Sequence, residues 1–202
     1  VIDREIKRTL GQMMHGVQVV AAAHDGLVRA YCSHWVMQVS FDDPIILASV
    51  SPRHDTYPLI CASGRFTVSL LAGDQVDAGQ YFSYPGRRFH HIAEEFLELS
   101  GDGQPFVPDS LGWLSCEVLE VRDRWESGEP IDHHLFFARV TAVTAGRLRQ
   151  APLLYSSRLG WRVSGERARE AGRSIRDELL QRLSDAGFDE PPPDDESASA
   201  GT

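Results

Sequence analysis

The chain has 202 residues, of which 42% are hydrophobic and 24% charged, and its net charge is −9. That length and balance describe one ordinary globular domain, and the acidity repels polyphosphate at long range, which excludes a general nucleic-acid binder. Residues 189–196 hold five acids and no base, so the rest carries only about −4 and leaves room for a local anion site. The cysteines, Cys32, Cys61 and Cys116, are odd in number and form no CxxC. They support neither a disulfide framework nor a zinc ribbon, and the plain reading is reduced thiols in the cytoplasm. No apolar run approaches the ~20 residues needed to span a bilayer. The first residues are charged and lack the apolar centre of a signal peptide; the chain begins at Val1 rather than Met, so its natural start is expected upstream.

In chain order, residues 3–14 place Ile6, Leu10, Met13 and Met14 at helical spacing, predicting a short amphipathic helix. Gly16 opens a β-branched strand, Asp25-Gly26 marks a hairpin turn, and 27–33 is the return strand. Residues 36–41 alternate in part, Asp43-Pro44 breaks the chain, and 45–50 (IILASV) reads as a buried strand. A helix over 55–63 follows, with Asp55 as its cap and Pro58 in the first turn. Residues 66–71 are a strand, and 74–82 a helix capped by Asp74. The stretch 84–110, rich in Gly, Pro, His and Ser, is expected to be a long functional loop.

Residues 113–124 and 134–144 predict a long antiparallel ribbon, and 153–155 with 160–163 close the β part. Many short strands with few helices point to a mainly β barrel with peripheral helices over residues 1–165. Residues 166–187 carry a helix with the stripe Ile175, Leu179, Leu180 and Leu183, expected to dock on the barrel or a partner subunit. Residues 188–202 are acidic and Pro/Ser-rich, and are expected to stay disordered.

The stretch LVRAYCSHWVMQVSFDDPIILASVSPRHDTYPLICASGRFTVSLL, residues 27–71, resembles the flavin reductase-like family of FMN-binding split barrels. The similar pieces are 32–35, Val39-Ser40, Asp43-Pro44, the strand 45–50, the loop 51–56 and the Phe66 strand. Gly16-Val17 upstream, and Asp132-His133 and the Pro152 to Tyr155 run downstream, extend the likeness over roughly residues 5–163. The chain departs from the family pattern at Cys32, His34, Ser69 and Ile131.

The resemblance implies a split β-barrel homodimer holding FMN or FAD and reducing it with NADH or NADPH. Electrons would pass to an acceptor or a partner monooxygenase, with no nucleic acid and no membrane involved. It implies that Cys32, Ser33, His34, Trp35, Val39 and Ser40 line the flavin. Ser49 would also bind the cofactor, Ser51, Arg53 and Thr56 would meet its ribityl or phosphate end, and Arg88-Phe89 would lie near the active face, with Phe89 covering the ring. His133 would be the catalytic residue beside the nicotinamide.

The residues themselves support parts of this. An Arg ahead of a helix N-terminus suits a phosphate, although a solvated turn is the plain alternative. Strand alternation puts His134 on the face opposite His133, so the pair cannot chelate one metal, and no metal site is expected. His34, where the family has a small residue, raises a second reading: a haem or flavin carrier without reductase activity, or a substrate-specific flavoenzyme.

Overall fold

The computed structural model describes residues 2–84, 95–165 and 176–187. The chain divides into a unit ending at Gly165 and a second unit, Glu166–Thr202. In the second unit α4 (Arg176–Asp185) is helical; residues 166–175 and the acidic tail from 188 lie outside the described residues, as do Arg88 and Phe89.

The first unit is mainly β. It opens with α1 (Arg4–Leu10), capped by Asp3, whose carboxylate accepts from the N–H groups of Glu5 and Ile6. The helix ends at Gly11, short of the expected residue 14, and buries none of its side chains. Next come β1 (His15–Gly16), β2 (Gln18–His24) and β3 (Leu27–Ser33). Asp25 (φ 49°) and Gly26 (φ 75°) both take positive φ between β2 and β3, the backbone of a tight hairpin turn that matches strand twist.

β4 (Val36–Gln38), β5 (Ile45–Val50), α2 (Tyr57–Ser63), β6 (Arg65–Leu70) and α3 (Val76–Ser83) follow. Then come the short pair β7 (Glu98–Leu99) and β8 (Pro105–Phe106), and the long strands β9 (Gly112–Arg124) and β10 (Pro130–Ala145). β11 (Leu153–Ser156) and β12 (Gly160–Val163) complete the unit.

Seven strands form one antiparallel sheet in the order β3-β2-β6-β9-β10-β5-β4, which curls into a half-barrel; β1, β11 and β12 form a second, smaller sheet. Two clusters fill it. Ile60 of α2 packs with Val20, Phe66, Val68, Val50 and Phe136 of the large sheet. Ala78, Tyr81 and Phe82 of α3 pack with Val17, Val19, Leu71 and Leu153. Close backbone approach fixes one corner: a Cβ on Gly146 would sit 2.3 Å from the Ser110 carbonyl oxygen, so only glycine fits there.

Two expected caps are not caps. α2 begins after Thr56 rather than at Asp55, and Thr56 makes no side-chain cap bond. α3 begins after Gln75, because Asp74 instead pairs bidentately with Arg147 (2.7 and 2.8 Å). Gln75 turns its amide to the Ala72 N–H and the Pro108 carbonyl. At Asp74 a distant partner outcompetes the local cap. β10 starts at Pro130, ahead of the expected residue 134, because Pro130 already lies opposite Arg124.

Candidate functional site

β3 ends, turns and re-enters the sheet as the edge strand β4, and this crossing sets the first wall of the site. Ser33 is buried at the turn, where its hydroxyl accepts from the Trp35 N–H (3.2 Å). That bond holds the reversal, and the Trp35 carbonyl then accepts from the Ser49 N–H of β5 (3.0 Å). Cys32 packs with the α3 cluster, and burial pushes its thiol up to about 11, so it stays protonated and inert.

His34 lies flat on Tyr155, with ring centroids 4.3 Å apart and planes 12° from parallel. Trp161 meets it edge-on at 5.9 Å. Its Nδ1 is buried with no hydrogen-bond partner among the described residues. Burial, and then nearby His15, lower its protonation to about 4, so the ring is neutral at pH 7.

Trp35 is half exposed and stands edge-on to His133, with centroids 5.0 Å apart. The His133 Nδ1 lies 3.5 Å from the Asp132 carboxylate. His134 turns to the other face, toward Tyr57 and Phe136. Beyond β4, Val39 is exposed and donates its N–H to the Ile45 carbonyl, while the Ser40 carbonyl accepts from the Gln38 amide.

The loop 51–56 forms the second wall. Ser51 and Thr56 are buried, and Arg53 is exposed. His54 stacks on Tyr31 with centroids 4.2 Å apart. Burial and the neighbouring His133 both lower the protonation of His54, which places the two imidazoles in one electrostatic neighbourhood. The loop's own N–H groups are largely spent: Arg53 donates to the Ser51 hydroxyl, His54 to the Ser51 carbonyl and Tyr57 to the His54 carbonyl. Pro58 has no N–H to give. The expected row of free amides for a phosphate is therefore thin, and the Arg53 side chain is left as the main anion donor of this loop.

Between α1 and β4 runs a groove of about 670 Å³ whose walls include Leu10, Met14, His34, Trp35, Ser49 and Tyr155. That volume is in the range of small-molecule and cofactor sites, roughly 300–1,000 Å³. The structure thus brings His34, Trp35 and Ser49 to one groove and sets His133 against Trp35 of its wall, while His54 stacks on Tyr31 and Arg53 stands exposed on the loop. It turns Cys32 and Ser33 toward protein. Sequence reasoning passed over Tyr31, Tyr155 and His15. Tyr155 lies opposite His15 in the β1–β11 ladder, and that pairing of distant positions leaves no local signal.

The neutral His34 ring has a measurable consequence. Histidine in the unfolded chain protonates near 6.5, but here only near 4. Between those values the unfolded state binds a proton that the folded state refuses, so stability holds above about pH 6.5 and falls as pH drops toward 4. After discounting for the half-exposed ring, the loss is on the order of 1–2 kcal/mol. Urea unfolding from pH 7.5 to 4 should show a flatter profile for His34→Phe, which keeps the stack on Tyr155 and cannot titrate. Parallel profiles would refute the assignment.

Among the described residues no helix is long and apolar enough to cross a membrane, and no group of three or more His, Cys, Asp or Glu side chains could hold a metal ion.

Comparison with known proteins finds related chains and folds. The reductase component of a 4-nitrophenol 4-monooxygenase/4-nitrocatechol 2-monooxygenase from Rhodococcus opacus is 27% identical over 145 residues, covering 70% of this chain and 72% of that one. An NADH:riboflavin 5'-phosphate oxidoreductase from Streptomyces pristinaespiralis is 26% identical, covering 77% and 83%. The crystal structure of nitrilotriacetate monooxygenase component B from Mycobacterium thermoresistibile superposes with a TM-score of 0.72 at 25% identity, over 87% of this chain and 93% of that one. The model of the flavin reductase like domain matches residues 10–159, and the chain belongs to that family.

Proposed function

We propose that the protein is an NAD(P)H-dependent flavin reductase on an FMN-binding split barrel, which passes electrons to an acceptor or a partner monooxygenase. The observation that carries this reading is the contact of Trp35 with His133, which sets the 32–40 segment beside that histidine, together with the stack of His54 of the loop 51–56 on Tyr31 of β3. NADH is the favoured donor, and a monooxygenase the favoured recipient, because the relatives named above include an NADH oxidoreductase and the reductase component of a monooxygenase.

The residues present fit a flavin. The groove has the volume, and its apolar wall of Leu10, Met14 and Trp35 suits a flat ring. The buried, unpartnered His34 Nδ1 is a polar atom that a ring edge or a water would satisfy. Bound flavin supplies the hydride-accepting ring, and the protein supplies orientation and exclusion of water. In this reading His34, Trp35, Val39, Ser40 and Ser49 line the flavin, with Cys32 and Ser33 shaping the turn behind them. Ser51, Arg53 and Thr56 serve the ribityl and phosphate end, with Arg53 as the charged contact. His133 orients the dihydropyridine, with the Asp132 carboxylate 3.5 Å from its Nδ1. Hydride transfer needs no protein acid or base, which accounts for the lack of a sharp catalytic motif.

A homodimer completes the proposal. Trp35, Met37, Val39 and Phe41 alternate along the segment that carries the edge strand β4, and all are exposed, Phe41 at 92%. α1 and the residues just after it leave Leu10, Met13 and Met14 uncovered on the same groove. Exposed apolar surface of this extent marks a contact site, and a second copy is its assigned occupant. The three cysteines are all free, as befits the cytoplasm.

The test is an absorbance spectrum of the purified protein with FMN, before and after anaerobic NADH or NADPH. Flavin bands that bleach are the expected result and name the donor. Bands that persist reject the reductase, and a protein that binds neither FMN nor FAD rejects the flavin site. Sedimentation should give a dimer; a monomer that binds flavin tightly contradicts the interface.

A further inference from the structure

The loop 51–56 is fastened at both ends to one residue that the site does not otherwise use. At its start, Val50 lies opposite His134 in the β5–β10 ladder. At its end, the Tyr57 hydroxyl lies 2.8 Å from the His134 Nδ1, a hydrogen bond whose donor is set by the tautomer. The Tyr57 ring stands edge-on to His134 (5.3 Å) and Phe136 (5.7 Å), so the hydroxyl is aimed by packing. Inside the loop, the bonds from His54 to Ser51 and from Tyr57 to His54 pass that constraint along the backbone. The residue before the clasp is His133, on the opposite face beside Trp35 and in electrostatic reach of His54.

Resting on the function proposed above, we infer that Tyr57 and His134 are positioning residues, whose hydrogen bond fixes the loop bearing Arg53 and His54 against the strand bearing His133. Neither touches the flavin in this arrangement. They hold the phosphate end and the nicotinamide end of the site at one spacing, and a small displacement of such groups costs binding and rate.

The experiment uses the full chain as Tyr57→Phe, His134→Leu and His134→Asn. Phenylalanine keeps the ring packing and deletes only the hydroxyl, while asparagine offers the hydroxyl an amide in place of Nδ1. Three properties are read: amide hydrogen exchange in the apo protein, FMN affinity, and KM against kcat for NADH. In Tyr57→Phe and His134→Leu, exchange across 51–56 should quicken about tenfold, with β2 and β6 unchanged. The FMN Kd and the KM for NADH should rise about five- to tenfold with a smaller change in kcat. His134→Asn should restore most of each.

Wild-type exchange at 51–56 in Tyr57→Phe overturns the clasp, whatever happens to melting temperature. Faster exchange with unchanged Kd and KM, in an active protein, reduces the clasp to a fold contact and overturns the positioning role. If the wild type itself neither binds flavin nor oxidises NADH, the flavin reading fails, and the exchange data alone decide whether the loop is clasped.

Discussion

Arg53→Ala is expected to weaken FMN binding by roughly 10- to 100-fold, the worth of one charge-assisted hydrogen bond to an anion, while leaving riboflavin binding unchanged. The expectation follows from the loop's own bonding. The N–H groups of Arg53, His54 and Tyr57 are turned back onto Ser51 and His54, and the short α2 has no side-chain cap and a proline in its first turn. A phosphate at this loop therefore depends on a side chain rather than on backbone. Arg53 is exposed and free to swing, and its loss removes the contact without disturbing the core. Fluorescence titration of both flavins measures the effect. Because phosphate is the only difference between them, an equal loss for FMN and riboflavin would show that Arg53 acts elsewhere. No loss for either would move the phosphate off this loop. Lysine should recover only part of the affinity, since a point charge replaces a planar fork.

Local pattern made much of the scaffold legible and little of the site's interior. The strand 45–50 was plain in its apolar run, and the Asp25-Gly26 hairpin was plain in its turn residues; both stand where expected. These features depend on neighbours a few residues away. The expected cap Asp74 failed because caps compete with tertiary partners, and Arg147 holds Asp74 from across the fold; α2 starts after Thr56, one residue past the expected cap Asp55. Trp161 stands edge-on to His34 within a pile of rings, a meeting no local pattern announces. The groove wall combines α1, β4 and Tyr155, segments whose meeting is set by sheet order rather than by spacing. The family likeness placed His34 and His133 at the site. It gave no hint of the Tyr57–His134 bond, since that contact belongs to the side chains of this chain.

Phe136→Ala is expected to destabilise the fold by about 3–5 kcal/mol, the range for deleting a fully buried aromatic ring. Phe136 has no exposed surface and packs between α2 and the sheet with Val50, Ile60 and Phe66. Its strand is paired on both sides, with Ala48 of β5 and Val121 of β9 as neighbours, so the backbone cannot close the cavity cheaply. At about 2–4 °C per kcal/mol for a domain of this size, the melting temperature should fall by roughly 6–20 °C. Phe136→Leu should lose less, because it fills part of the space. Ligand linkage connects this loss to the site. FMN binds only the folded chain in the proposed reading, so FMN at about 100 times its Kd should return about 2.7 kcal/mol to wild type and variant alike. Thermal melts with and without FMN separate the two claims. A variant as stable as wild type would remove Phe136 from the core that holds β10 and His133 in place. A variant that melts early, but gains nothing from FMN when wild type does, would mean that the loss of the ring distorts the site itself. That outcome would extend the reach of the Tyr57, His134 and Phe136 cluster from fold to function.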